Sequence, residues 1–171
     1  MTTMTKSSLQ IDNQPCDRSR GWTSLGILLT AIALVSPAAI AQESNFGRLA
    51  LNSNQISGTL RGTTGGSASL PAIISNRDRN NRKCLGFGDP KPDHILILEK
   101  PFPTLTLQIR STTDTTLVVQ GPNGVIRCGD GTGTDKNASI TDNSWQEGSY
   151  KVWIGTAEPG TQRDYTLTVQ P

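Results

Sequence analysis

The side chains able to do chemistry are few in this chain, and their spacing excludes more than it supports. His94 is the only histidine, with Asp93 beside it. A Ser–His–Asp machine needs that histidine oriented by a carboxylate and a nucleophile held on an elbow near oxyanion donors. No segment supplies the elbow or the oxyanion loop, so His94 reads as a packing or solvated residue at a strand entrance. Cys84 could act as a nucleophile only as a free thiolate, which its pairing, argued below, opposes. Glycoside hydrolysis needs two carboxylates at a set separation, and no pair stands out among the scattered acids. No catalytic residue is assigned. A non-enzyme is expected, with an unrecognised hydrolase as a remote alternative.

Metal chemistry has one weak candidate. Cys128-Gly-Asp-Gly-Thr-Gly-Thr-Asp135 places Asp130 and Asp135 on a Gly/Thr loop, with Asp142 further along. Hard oxygen donors on a flexible loop suit calcium, but the spacing matches neither an EF-hand nor a glycine-rich nonapeptide repeat. The competing reading is a turn whose Asp side chains cap backbone amides, and it is preferred. Cofactors are therefore none, with calcium the open possibility. Cys84, Cys128 and His94 lack the C-x-x-C spacing of a zinc site.

Two further groups could hold a ligand. Asn76-Arg-Asp-Arg-Asn-Asn-Arg-Lys83 gathers Arg77, Arg79, Arg82 and Lys83 beside a single acid. A charge run of this kind is ordinarily solvated surface; the sharper reading is contact with a polyanion. It contains no aromatic residue to stack a base, which argues against nucleic acid. Trp145 and Trp153 would make a sugar platform if exposed, or core if both faces of their strands are covered. Periodicity leaves both readings open.

Compartment follows from the N-terminus and the cysteines. Lys6, Arg18 and Arg20 precede the apolar run Leu25–Val35, Ser36-Pro37 ends it, and Ala39-Ile-Ala41 follows. That is the layout of a secretory signal peptide over residues 1–41. An uncleaved anchor is the alternative, but the run is barely long enough to span a membrane. Membrane contact is expected only in transit, and the protein is expected to be secreted or periplasmic. Cys16 would leave with the peptide. The remaining even pair, Cys84 and Cys128, favours a disulfide in an oxidising compartment over two separate buried thiols. The whole chain has 16 Lys+Arg and 14 Asp+Glu, of which three bases and two acids precede Gln42, so a chain cleaved there carries +1. No strong field steers it to nucleic acid or membrane.

The elements that must position these groups read as strands. Gln42–Asn54 is polar without sustained periodicity and reads as a flexible tether, leaving a single domain over 55–171. Thr104–Arg110 alternates strictly, as do Tyr150–Ile154 and Tyr165–Gln170, the signal of half-buried strands. Ile95–Leu98 and Leu117–Val119 are continuous apolar runs that suit strands covered on both faces. Gly121-Pro-Asn-Gly124 predicts a hairpin turn between Thr116–Gln120 and Val125–Cys128. Gly65-Gly66 predicts another hairpin, between Gln55–Arg61 and Ser67–Ile74, with Pro71 pushing the latter to an edge. Ser75–Asp93 is long, polar and rich in Gly and Pro, and a bond at Cys84 would tie its middle down. Short strands with such turns predict an all-β sandwich or barrel.

Thr115-Thr-Leu-Val-Val-Gln-Gly-Pro-Asn-Gly124 resembles the strand and turn opening the core of bacterial pre-peptidase C-terminal domains. Gly148-Ser-Tyr-Lys-Val-Trp-Ile154 is similar to their Gly-x-Tyr-x-Val-x-Val strand, and Tyr165–Val169 to their closing strand. The resemblance covers about 94–169. Cys84-Leu-Gly-Phe-Gly-Asp-Pro90 resembles a segment of small secreted cyanobacterial proteins that share such a domain. The likeness implies an antiparallel, jelly-roll-like β-sandwich used as an accessory module with a binding or structural role, in export, substrate attachment or inter-domain spacing. Some members bind calcium and collagen, which gives the alternative of a calcium-dependent attachment module for protein or glycan surfaces. The family often shows Asp-x-Asp entering the core strand, whereas Asp114 here is followed by Thr115-Thr116. The expected partner is an extracellular protein or polysaccharide.

Overall fold

The computed structural model describes residues 43–131 and 135–171. The signal-peptide reading of residues 1–41, Gln42 and Cys16 lie outside them. Eleven strands and one short helical turn follow in order: β1 (Gly47–Leu51), β2 (Gly58–Thr63), β3 (Ala68–Ser69), α1 (Leu70–Ile73), β4 (Phe87–Gly88) and β5 (His94–Leu98). Then come β6 (Phe102–Ser111), β7 (Thr115–Gln120), β8 (Ile126–Asp130), β9 (Ser139–Trp145), β10 (Gly148–Thr156) and β11 (Asp164–Gln170).

They form two sheets, as the alternating runs predict. In the smaller sheet the order is β2-β11-β6-β9, antiparallel throughout. The larger sheet is built on β10, which pairs with β5 and β4 on one edge and with β7 on the other; β8 then adds to β7. Between the sheets lies the main core, with Leu105, Leu107, Ile109, Leu117, Val119, Val152, Leu167 and Val169 fully buried. Full burial of one such side chain contributes roughly 1.5–3 kcal/mol.

The sandwich is not antiparallel everywhere. β1 runs parallel to β5 in register from Gly47–His94 to Leu51–Leu98, so the segment read as a tether contains an ordered edge strand. Leu49 and Leu51 are its inward residues. Two inward positions are too few to show as a period, and the pairing is a tertiary event.

The Gly65-Gly66 hairpin does not form. β2 pairs with β11 in one sheet and β3 with β4 in the other, so the chain crosses between sheets at these glycines. Gly66 has φ +88°, and a Cβ there would run into the backbone of Gly88. Pro71 sits in the first turn of α1, where its missing N–H costs nothing, and Ser67–Ile74 is a two-residue strand followed by that turn. The Gly121–Gly124 hairpin is present, with Asn123 (φ 58°) and Gly124 (φ +74°) supplying the positive φ that the reversal needs.

A second buried cluster, Leu70, Cys84, Val118, Cys128 and Trp153, covers the other face of the larger sheet. It explains the continuous run Leu117–Val119, because β7 is buried on both faces. Cys84 and Cys128 are disulfide-bonded, with Cα atoms 5.2 Å apart, which fastens the Ser75–Asp93 segment to β8. Among the described residues no helix is long and apolar enough to cross a membrane.

Candidate binding site

A cleft of about 550 Å³ opens at one end of the smaller sheet, between β2, β11 and β6. Register places its charged groups. Thr166 pairs with Arg61 on one side and with Arg110 on the other. Directly paired residues of an antiparallel sheet point to the same face, and neighbouring strands lie about 4.8 Å apart, so the two arginines flank Thr166 on the outer face with Cα atoms about 10 Å apart. Among the described residues neither arginine makes an ion pair or a side-chain hydrogen bond.

Hydroxyls and one acid complete the rim. Asp164 accepts from Thr63 Oγ1 at 2.8 Å, which turns the carboxylate to its own strand pair. Ser111 Oγ donates to the Asp164 carbonyl at 2.8 Å. One row inward, Gly62 leaves the space taken by the Tyr165 hydroxyl and the Phe46 ring; a Cβ there would meet both. Phe46 remains 46% exposed and forms an apolar wall of the cleft.

Behind that wall lies a buried polar pair. Tyr165 Oη and His94 Nε2 are 2.8 Å apart, and Phe46 covers them with ring centroids 5.9 Å from His94 and 6.3 Å from Tyr165. Burial pushes the His94 pKa down to about 4 and the Tyr165 hydroxyl well above its ordinary range. The neighbouring Asp93 accepts the buried N–H of Ile154 at 2.7 Å and an Asn45 amide hydrogen bond at 3.4 Å. Burial raises its pKa to about 7. His94 and Asp93 are thus enclosed and bonded to the scaffold.

The residues singled out from sequence take other places. Trp145 and Trp153 are both buried, at 0% and 5% exposure, so neither offers a sugar platform. Trp145 sits in the main core and Trp153 in the second cluster. Their indole N–H groups donate to the carbonyls of Asp142 and Pro90. Within the basic run Arg82 pairs with Asp78, whereas Arg79 reaches across to Asp142 and the Asn143 carbonyl on β9. Arg77 donates to the Asn81 carbonyl, and the backbone bridge between Arg77 and Lys83 closes the run into a tight loop. Polar bonding within the loop accounts for Arg77 and Arg82, and bonding to β9 accounts for Arg79.

The three aspartates do not converge. Asp142 faces Arg127 at 2.8 Å and Arg79 at 3.5 Å. Asp135 caps the backbone N–H of Asn137, as the turn reading holds. Asp130 ends β8 with its pKa raised by burial and by the charge of Asp114. Among the described residues no group of three or more His, Cys, Asp or Glu side chains is placed to share a metal ion.

The cleft arginines escape sequence reasoning for a simple reason. Each ends a recognisable strand run on its polar face, but only the strand order β2-β11-β6 brings them together. The available signal was that both sit on the outward phase of their alternation with no acid two residues away along the chain.

No family model and no curated protein matches this chain. Among solved structures, the chain is similar to the pre-peptidase C-terminal domain of a collagenase from Bacillus anthracis. Identity is 14%, over 75% of this chain and 96% of that one, with a TM-score of 0.46. It is also similar to PliG of Aeromonas hydrophila, a periplasmic inhibitor of g-type lysozyme. There the identity is 15%, over 75% of this chain and 98% of that one, with a TM-score of 0.43.

Proposed function

We propose that this chain is an exported, non-catalytic binding module, and that its cleft between Arg61 and Arg110 takes an anionic group such as a sugar carboxylate or sulfate. The observation that supports it is two arginines on one sheet face, flanking Thr166 and without an ionic partner of their own. A guanidinium presents a planar fork of donors that matches carboxylate and sulfate oxygens. The surrounding hydroxyls of Thr63, Ser111 and Thr112 can bond the rest of a sugar, and Phe46 offers an apolar face to its ring. The disulfide fits an oxidising compartment.

The test is titration of isotope-labelled protein with glucuronate and with a sulfated monosaccharide, followed by amide NMR. Shifts should cluster on Arg61, Arg110, Thr166 and Ser111. Each single truncation, Arg61→Ala or Arg110→Ala, should weaken binding about 10-fold, the scale of one charge-assisted hydrogen bond. Chelation with EDTA should change nothing, which separates this reading from calcium-dependent attachment. Shifts confined to other surfaces would sink it.

A further inference from the structure

The cleft opens onto a face whose chemistry changes abruptly. Below the row Arg61–Thr166–Arg110, register assembles the row Thr59–Thr168–Gln108–Ser139 across all four strands of the smaller sheet. The next row is Gln170–Thr106–Thr141, and β9 ends the face with Asn143 beside Thr104. These positions alternate with the buried Leu105, Leu107, Leu167 and Val169, so they lie on the outer face. Thr106 and Thr141 hydroxyls are already 3.1 Å apart. No Lys, Arg, Asp or Glu stands in any row below the arginines.

That composition is unusual for an open sheet with an exposed edge, which proteins ordinarily protect with charge, lysine above all. It also lacks what other partners need. Protein interfaces are anchored by aromatic and aliphatic side chains in desolvated pockets, and the rows contain neither. Nucleic acid needs many cations along the backbone and rings for the bases, and this face has two cations at one end and no ring. Hydroxyls and carboxamides, which donate and accept together, are complementary to the hydroxyls of neutral sugars. The charge is complementary to an acid at the arginine end alone.

We propose that the outer face of the β2-β11-β6-β9 sheet is a polysaccharide groove, in which the arginine cleft holds one acidic sugar and the Thr/Gln rows hold the neutral sugars that follow it. This rests on the cleft's binding an anion, and adds the ligand's class: an extended glycan whose acidic sugars are separated by neutral ones. From Thr166 to Gln170 the track along β11 is about 14 Å long, room for several sugars in line.

The experiment is calorimetry with hyaluronan oligosaccharides of increasing length, in which acidic and neutral sugars alternate, against the full chain. Affinity should rise at least 10-fold from the shortest acidic fragment to one that spans the face, then level off. Thr106→Glu, two rows away from the arginines on the same face, should abolish that gain and leave binding of the shortest fragment unchanged. Thr168→Val keeps the β-branched shape and removes only the hydroxyl; it should cost roughly 3- to 10-fold on the long oligosaccharide, the worth of one hydrogen bond. Melting curves of both variants report whether the sheet is intact. Polygalacturonate fragments, acidic at every sugar, should gain less with length. A gain equal to hyaluronan's overturns the neutral-row assignment. Short fragments that bind with no length gain, or a gain that survives Thr106→Glu, overturn the groove and leave the cleft standing. No binding of the shortest fragment overturns both.

Discussion

The guanidinium of Arg127 lies over the indole of Trp145, 4.1 Å from the ring centroid. The same arginine is 2% exposed and donates Nε–H to Asp142 at 2.8 Å and Nη2–H to the carbonyls of Asn143 and Ser144, each at 3.2 Å. Ser144, at φ 57°, holds a conformation uncommon outside glycine and asparagine. This contact joins β8, on the large sheet, to β9, on the small one, and closes that corner of the sandwich.

Arg127→Ala should therefore destabilise the domain by about 3 kcal/mol, because it removes the close partner of Asp142, leaving only the longer Arg79 contact, and strips the Ser144 carbonyl of its donor. Arg127→Lys should recover little, since a lysine cannot form the fork or lie flat on the indole. Chemical denaturation followed by tryptophan fluorescence measures both. In a double-mutant cycle with Asp142→Asn, coupling above about 1 kcal/mol is expected for a pair in direct contact. Strict additivity would show that the corner is held by other contacts.

The disulfide closes a sequence separation of 44 residues, and the chain-entropy model gives such a loop roughly 4 kcal/mol at most. Cys84→Ser with Cys128→Ser should lower stability toward that limit. The loss should appear first in the segment fastened to β8, which offers trypsin Arg77, Arg79, Arg82 and Lys83. Limited proteolysis should cut there in the variant and in reduced protein, with the strands from Ser139 onward spared. Cleavage spread evenly over the chain would refute the local role.

Why some of this was legible in sequence and some was not follows from the range of each interaction. β6, β10 and β11 show themselves by strict alternation, because one neighbour layer imposes a period of two on each. β7 shows as a continuous run because Leu70, Trp153 and the disulfide cover its second face. β9 does not show: its inward residues, Ile140 and Trp145, are separated by four polar positions, and Asp142 turns toward Arg127 instead of solvent. β1 depends on a parallel partner 47 residues away in register, Gly47 with His94. The cleft was hidden for the same reason, since Arg61 and Arg110 meet only through the intervening strand β11.

Phe46 makes a separable prediction. Its ring is half-exposed yet lies against His94 and Tyr165, so it shields a pair that the rest of the sandwich does not cover. Phe46→Ala should admit water to His94 and move its pKa upward from about 4 toward its ordinary 6.5, since burial is the cause of the depression. Histidine NMR titration reads this directly. Affinity for acidic sugars should fall only a few-fold, because Arg61 and Arg110 are untouched. A His94 pKa that stays near 4 would place its shielding elsewhere.

Asp93 and His94 are adjacent and titrate against each other in their effect on stability. Burial lifts Asp93 from its ordinary 3.8 to about 7, so the folded state holds its proton more tightly than the unfolded chain does. Its contribution is full below about pH 4 and is lost as pH rises toward 7. Burial lowers His94 from 6.5 to about 4, so the folded state favours the neutral ring. That contribution is full above about pH 6.5 and is lost as pH falls toward 4. Between these limits the two slopes have opposite signs and similar size, and the wild-type profile should be nearly flat. Asp93→Asn keeps a carbonyl oxygen for the Ile154 N–H and removes the falling slope. Its stability should then climb with pH across the window by up to about 1.4 kcal/mol per pH unit, and exceed the wild type above pH 7. Urea denaturation in steps from pH 4 to 8 measures this; parallel profiles for the two proteins would mean that Asp93 is not held protonated by the fold.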